Sequence, residues 1–212
     1  MGTIGISLFG SSSIGLLLLI THILGSLTVG ILFRFWKKNK STNQSYSTSQ
    51  MDNKLQNVSL YNLGEALSES ISSALSTIFM IGGFVVLFSV IISVLNKSGI
   101  INIVLVLFEP VCNLFNVPSS ISSSLFIGIL EITNGISLLA GIKLKQISIN
   151  IVLCSFLLGT GGISVLLQVL SILSKSDLSI KPYIIGKILH GLIAAFYTYL
   201  LIRIFPVFNL NF

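Results

Sequence analysis

PSSISSSLFIGILEITNGISLLAG, residues 118–141, is an apolar stretch with one carboxylate, Glu131, near its middle and helix-breaking residues on either side of it. Its length suits a bilayer, since about 20 helical residues rising ~1.5 Å each match a hydrocarbon core of about 30 Å. It does not spell a plain span. Pro118 with Ser119, Ser120, Ser122, Ser123 and Ser124 marks a helix start, because Ser side chains cap free backbone N–H groups and Pro suits the first turn. Thr133, Asn134 and Gly135 then interrupt the run just after the acid. A bilayer tolerates broken backbone only where it is buried in protein or lines a watery cavity. The pattern therefore predicts a discontinuous helix or re-entrant hairpin, the architecture of a small-solute site.

Composition sets the class of the rest. Hydrophobic residues make up 53% of the chain and charged residues 8%, with mean hydropathy +0.98, whereas a soluble domain carries about 25% charged residues. This is the composition of an all-α polytopic membrane protein, with lipid as its first partner. The net charge of +6 resides in cations that flank apolar runs, so membrane topology accounts for it and nucleic-acid binding is not expected. Cys112 and Cys154 lie in apolar runs without Cys/Cys or Cys/His metal spacing, so neither a disulfide framework nor a metal or cofactor site is expected. Residues 1–13 carry no basic residue, so no signal peptide is expected there. No Ser/His/Asp, HExxH or P-loop pattern supports an enzyme.

In chain order, the apolar run 14–33 ends in Arg34, Trp36, Lys37 and Lys38, which predicts a first span entering the cytoplasm. Residues 39–59 are rich in Ser, Thr, Asn and Gln and read as a polar cytoplasmic linker. Leu60, Leu63, Leu67, Ile71, Leu75 and Ile78 recur at helical steps with Glu65, Ser68, Glu69, Ser72 and Ser76 between them. That predicts an amphipathic helix with an acidic face, docked against the rest of the protein. Span 77–95 follows, with Gly82-Gly83 allowing a bend or a close helix contact. Glu109-Pro110 inside 100–115 marks a re-entrant or interfacial piece, a drawing that puts Lys143, Lys145 and Arg203 inside with Arg34, and Lys97, Lys175, Lys181 and Lys187 outside. Run 147–173 is broken by Gly159, Gly161 and Gly162, with Gln168 beyond, and a last span covers 183–202 until Pro206. The expected total is about five spans plus re-entrant or broken helices.

Two ends of the chain share a pattern. Gly2-Thr3-Ile4-Gly5-Ile6-Ser7 matches Gly159-Thr160-Gly161-Gly162-Ile163-Ser164 at all but one position, and His22 precedes Arg34 as His190 precedes Arg203. Coincidence and a true repeat both fit such short matches. A repeat would make 1–38 the end of a first unit, 39–59 the linker, 60–205 a gate-like membrane domain and 206–212 a tail, compatible with half of an inverted-repeat transporter. The missing part would then come from an N-terminal half or a homodimer partner.

Glu131 invites a proton-coupling or gating role, since an ionised carboxylate at a helix centre costs about 2.5–3.5 kcal/mol; a structural hydrogen bond to a neighbouring helix is the plainer alternative. The Ser119–Ser124 start, with Thr133 and Asn134, offers hydroxyls and helix N–H groups to a carboxylate substrate. Gly159, Gly161, Gly162 and Gln168 either line the same cavity or merely kink a helix. His190 is a second gating candidate, although membrane histidines often just bond across helices, as His22 would.

At Gly128-Ile-Leu-Glu131-Ile-Thr133-Asn-Gly135, Gly159-Thr-Gly-Gly162-Ile-Ser164, Gln168 and Lys187-Ile-Leu-His190-Gly191, the chain resembles the YlbJ family of sporulation integral membrane proteins. Met80-Ile-Gly-Gly-Phe84 and His22-Ile-Leu-Gly25 extend the likeness over nearly the whole chain, which looks like the C-terminal half of family members. These proteins resemble the nucleoside-recognition, or gate, domain of nucleoside transporters and spore maturation proteins. The resemblance implies passage of dipicolinic acid, a small dicarboxylate, across the outer forespore membrane of an endospore-forming bacterium, or location in its plasma membrane. A non-transporting scaffold acting through the linker and the amphipathic helix is the alternative.

Overall fold

The computed structural model describes residues 1–36, 60–106, 118–142, 147–173 and 179–205, and every element in them is helical. A π-helical turn, Ile4–Leu8, leads into α1 (Ser12–Trp36), followed by α2 (Leu60–Lys97), α3 (Ser119–Leu130), α4 (Ile132–Gly141), α5 (Ile147–Thr160), α6 (Gly162–Leu173) and α7 (Ile180–Ile204). Among the described residues four stretches are long and apolar enough to cross a membrane, and the broken pair α3–α4 supplies two shorter apolar helices. The protein is a polytopic membrane protein. A helical turn also opens at 100–106; Glu109-Pro110, the 39–59 linker and the 206–212 tail lie outside the described residues.

The amphipathic stretch and the second span are one helix of 38 residues, about 57 Å long. Helix propagation is cheap once started, and nothing between Ile78 and Phe84 forbids it. Two expectations fall with this finding. Residues 63–76 are exposed rather than docked, and nothing lies within 4 Å of a side chain placed at Gly82 or Gly83, so the doublet makes neither a contact nor a break.

Packing centres on α5, α7 and α1. Ile14, Leu17 and Leu18 of α1 are buried with Ile151 of α5 and Ile202 of α7, while Ile121, Ile136, Leu139, Cys154 and Leu157 join α3, α4 and α5. Outward faces keep their apolar residues exposed, as a lipid-facing surface requires. Between α5 and α7, Thr198 Oγ1 donates to Ser155 Oγ at 2.8 Å, both residues buried.

α1 and α7 run antiparallel. Val29 and Phe33 lie against Gly186, His22 meets His190, and Ile14 and Leu18 share a cluster with Ile202. Arg34 therefore stands at the Lys181 end of α7 and Arg203 at the other, which overturns the drawing that put Arg34 and Arg203 together. The basic residues give only a small excess for one side, and helix packing decides against it.

Candidate functional site

Glu131 separates α3 from α4 with an extended backbone, φ −145° and ψ 117°. Its carboxylate turns onto the start of α4, where Oε1 accepts from the Thr133 N–H at 2.9 Å and Oε2 from the Asn134 N–H at 2.7 Å. The mid-span acid is thus a helix N-cap, only 1% exposed. A helix that begins in apolar surroundings leaves up to four N–H groups without partners, and a carboxylate at the positive end of the helix dipole is the strongest acceptor available. The hydrogen-bonding partner is α4's own backbone rather than a neighbouring helix.

The other end of α4 is closed from outside. Asn150 of α5 donates through Nδ2 to the carbonyls of Leu139 at 3.0 Å and Ile142 at 2.8 Å, and is itself buried. A ten-residue helix is too short to be stable alone, and inside a membrane its free ends need partners. Glu131 and Asn150 supply them.

The chain reverses at Glu131. A Cβ on Gly135 would fall on the backbone of Gly128, whereas residues seven apart on one straight helix are separated by about 10 Å. α3 and α4 therefore form a tight hairpin, the re-entrant alternative of the sequence reading, and only paired glycines permit its closeness.

α5 and α6 are separated by a different device. Gly161 and Gly162 have φ of +81° and +73°, the left-handed region that costs other residues about 1–2 kcal/mol. A Cβ on Gly162 would lie 3.0 Å from the Gly128 carbonyl oxygen and 3.2 Å from that of Ile129. The two breaks are in contact, backbone to backbone, as the midplane of a broken-helix site requires.

Other expected residues gather around this junction or stand away from it. Asn134 donates through Nδ2 to Ser89 Oγ of α2 at 3.2 Å, and buried Gln168 donates to buried Ser164 at 3.3 Å. Thr133 is exposed. Gly159 serves helix contact: a Cβ there would lie 2.5 Å from Gly191 Cα. The serines are not brought to the break. Ser120, Ser122 and Ser123 occupy the first turns of α3, whose 12 residues put its start about 16 Å from Glu131. Instead of capping N–H groups, Ser122 and Ser124 donate back to the carbonyls of Pro118 and Ser120, at 3.3 and 2.9 Å, and Pro118 holds the cap position without a side-chain bond. Ser120 is exposed, Ser122 and Ser123 half-buried. His190 makes the cross-helix bond, Nε2 lying 3.0 Å from the His22 carbonyl oxygen with ring centroids 4.4 Å apart.

Four contributors were missed. Gly128 was visible in the G-x-x-E pattern, Asn150 as a polar residue inside an apolar run, and Lys187 as a cation within a span, a signal in its own right. Ser89 carried no such signal, since a lone serine in a membrane helix usually bonds its own turn.

Residues 78–176 match the Gate family, described as nucleoside recognition. The match covers just under half of the chain. It takes in the membrane half of α2 and both breaks, Glu131 and Gly161-Gly162, and leaves α1 and α7 outside. The chain is 31% identical over 210 residues to the sporulation integral membrane protein YlbJ of Bacillus subtilis (strain 168), an alignment covering 94% of this chain and 51% of YlbJ. The chain thus spans about half the length of that curated relative and is similar to its C-terminal half. No solved structure matches.

Proposed function

We propose that this gate-domain protein is a transport component that moves a small anionic metabolite, dipicolinic acid, across the outer forespore membrane for spore maturation and cortex formation. The observation that carries the reading is the contact between two helix breaks, Gly162 against the Gly128 carbonyl, beside the buried carboxylate of Glu131. Irregular backbone persists in a membrane where it is buried in protein or lines a watery cavity, and transporter sites are built from such broken helices. Similarity to YlbJ supports the sporulation setting, and the substrate is the one the family resemblance implies. In this reading Thr133, Asn134, Gly161, Gly162 and Gln168 line the path, Glu131 gates it, His190 couples α7 to α1, and the α3 serines receive the substrate at the mouth of the hairpin.

The test is uptake of radiolabelled dipicolinate into proteoliposomes. Uptake above that of empty liposomes is expected, and Glu131→Ala should lower it at least tenfold. Uptake equal to that of empty liposomes would refute the transport reading. A scaffold role remains the second reading, favoured by the exposed acidic face of α2 with Glu65 and Glu69. Loss of sporulation on shortening that face, with uptake intact, is what it requires.

A further inference from the structure

Among the described residues Arg34, Lys97, Lys181 and Arg203 are exposed, as expected of cations at the ends of membrane helices, while Lys187 is partly buried two turns inside α7. Its ammonium lies 6.0 Å from the centroid of the Tyr183 ring and 3.7 Å from where a Cβ on Gly161 would stand. Among the described residues no carboxylate pairs with it. A partly buried membrane cation without a counter-charge is costly and marks a functional position unless something else satisfies it.

The bland account explains part of this. A long Lys stem can reach toward the membrane surface, and a cation beside the C-terminal end of α5 meets the negative end of that helix's dipole. It leaves the surroundings unexplained. Lys187 lines a groove between α1 and α7 of about 390 Å³, within the ~300–1,000 Å³ range of small-molecule sites. The groove's polar groups are the hydroxyls of Ser26 and Tyr183 and the His190 ring, and Phe33 and Pro182 add apolar wall. One cation, the Tyr183 hydroxyl and apolar walls are the complement of a small ring-bearing carboxylate, while the Ser26 hydroxyl donates to the Ile23 carbonyl of its own helix at 2.8 Å. The ammonium reaches from the groove to the Gly161-Gly162 break.

We propose that the α1/α7 groove is an anion-binding site for a small carboxylate on an apolar or aromatic body, with Lys187 as its charge partner. The carboxylate meets the ammonium, Tyr183 donates to it, and the body rests on Phe33 and Pro182. The inference deepens the transport reading, and rests on it, by giving the solute its fixed cation outside the serine cluster of α3.

Equilibrium dialysis of the full chain in detergent provides the test, with pyridine-2,6-dicarboxylate and its neutral diamide as probes. Saturable binding of the dicarboxylate and none of the diamide is expected. Lys187→Met should weaken binding at least tenfold and Lys187→Arg less than threefold. Ser26→Leu, a change at an exposed rim position, should also weaken binding by filling the groove. Unfolding temperature and monodispersity identify variants that fold. Undiminished binding by folded Lys187→Met, equal binding of the diamide, or no binding by the wild type would overturn the site. If Lys187→Met binds as the wild type does while proteoliposomes still take up dipicolinate, the groove fails and transport stands. Binding that depends on Lys187 without uptake supports the groove and refutes transport.

Discussion

At Glu131 a membrane helix breaks around a side chain, and at Gly161-Gly162 another breaks around the lack of one. The first break is extended backbone whose free N–H groups are taken by the residue's own carboxylate, and it folds back into a hairpin. The second is left-handed backbone at two glycines, and its bare Gly162 fits against the carbonyls of the first. The difference teaches that the two breaks form a donor and an acceptor of space. One supplies polar groups that satisfy a helix end, and the other supplies room for them.

The largest effect to test is all-or-none and concerns the direction of the helices that hold the breaks. In a chain with Cys112 and Cys154 replaced, cysteines at Phe35 and Ser179 are expected to react with an impermeant thiol reagent from the same face. Labelling from opposite faces would sink the antiparallel arrangement of α1 and α7. Next comes the break without side chains. Gly162→Ala adds crowding of the Gly128 carbonyl, about 1–3 kcal/mol, to left-handed strain of about 1–2 kcal/mol. Gly161→Ala carries the strain but meets only the ends of Val165 and Lys187 at 3.5 Å or more. Thermal unfolding in detergent should therefore rank Gly162→Ala well below Gly161→Ala, and equal losses would show that the breaks are not in contact.

Glu131→Ala removes the carboxylate acceptors of two backbone N–H groups and should cost about 1–2 kcal/mol, with Glu131→Asp, a favoured N-cap, recovering most of it. An unchanged unfolding temperature for Glu131→Ala would mean that the carboxylate does not hold α4. Asn150→Leu strips the same helix at its other end and should cost about 1 kcal/mol. The smallest effect belongs to Gly83→Ala on α2, where open space predicts stabilisation by up to about 1 kcal/mol. A large loss there would reveal a contact that α2 lacks within this chain.

Much of the site was legible in residues 118–141 and 147–173 because breaking a membrane helix needs special residues, and Glu131, Gly135, Gly161 and Gly162 are conspicuous in apolar sequence. The hairpin was legible as one of two alternatives. The serines do not cap the helix as their sequence suggested, since Ser122 and Ser124 donate to carbonyls one turn back. Lys187 was counted for topology alone, because its position in the groove depends on α1, far away in sequence.

The sequence by itself determined the membrane class, the helices and the places where two of them break, since these follow from local hydropathy and from backbone chemistry at single residues. Tertiary structure alone decided what each break touches and which way α1 and α7 run. Those outcomes rest on pairings such as Gly162 with Gly128 and His22 with His190. Such contacts are set by how apolar surfaces fit once the helices meet, and no local pattern encodes that fit.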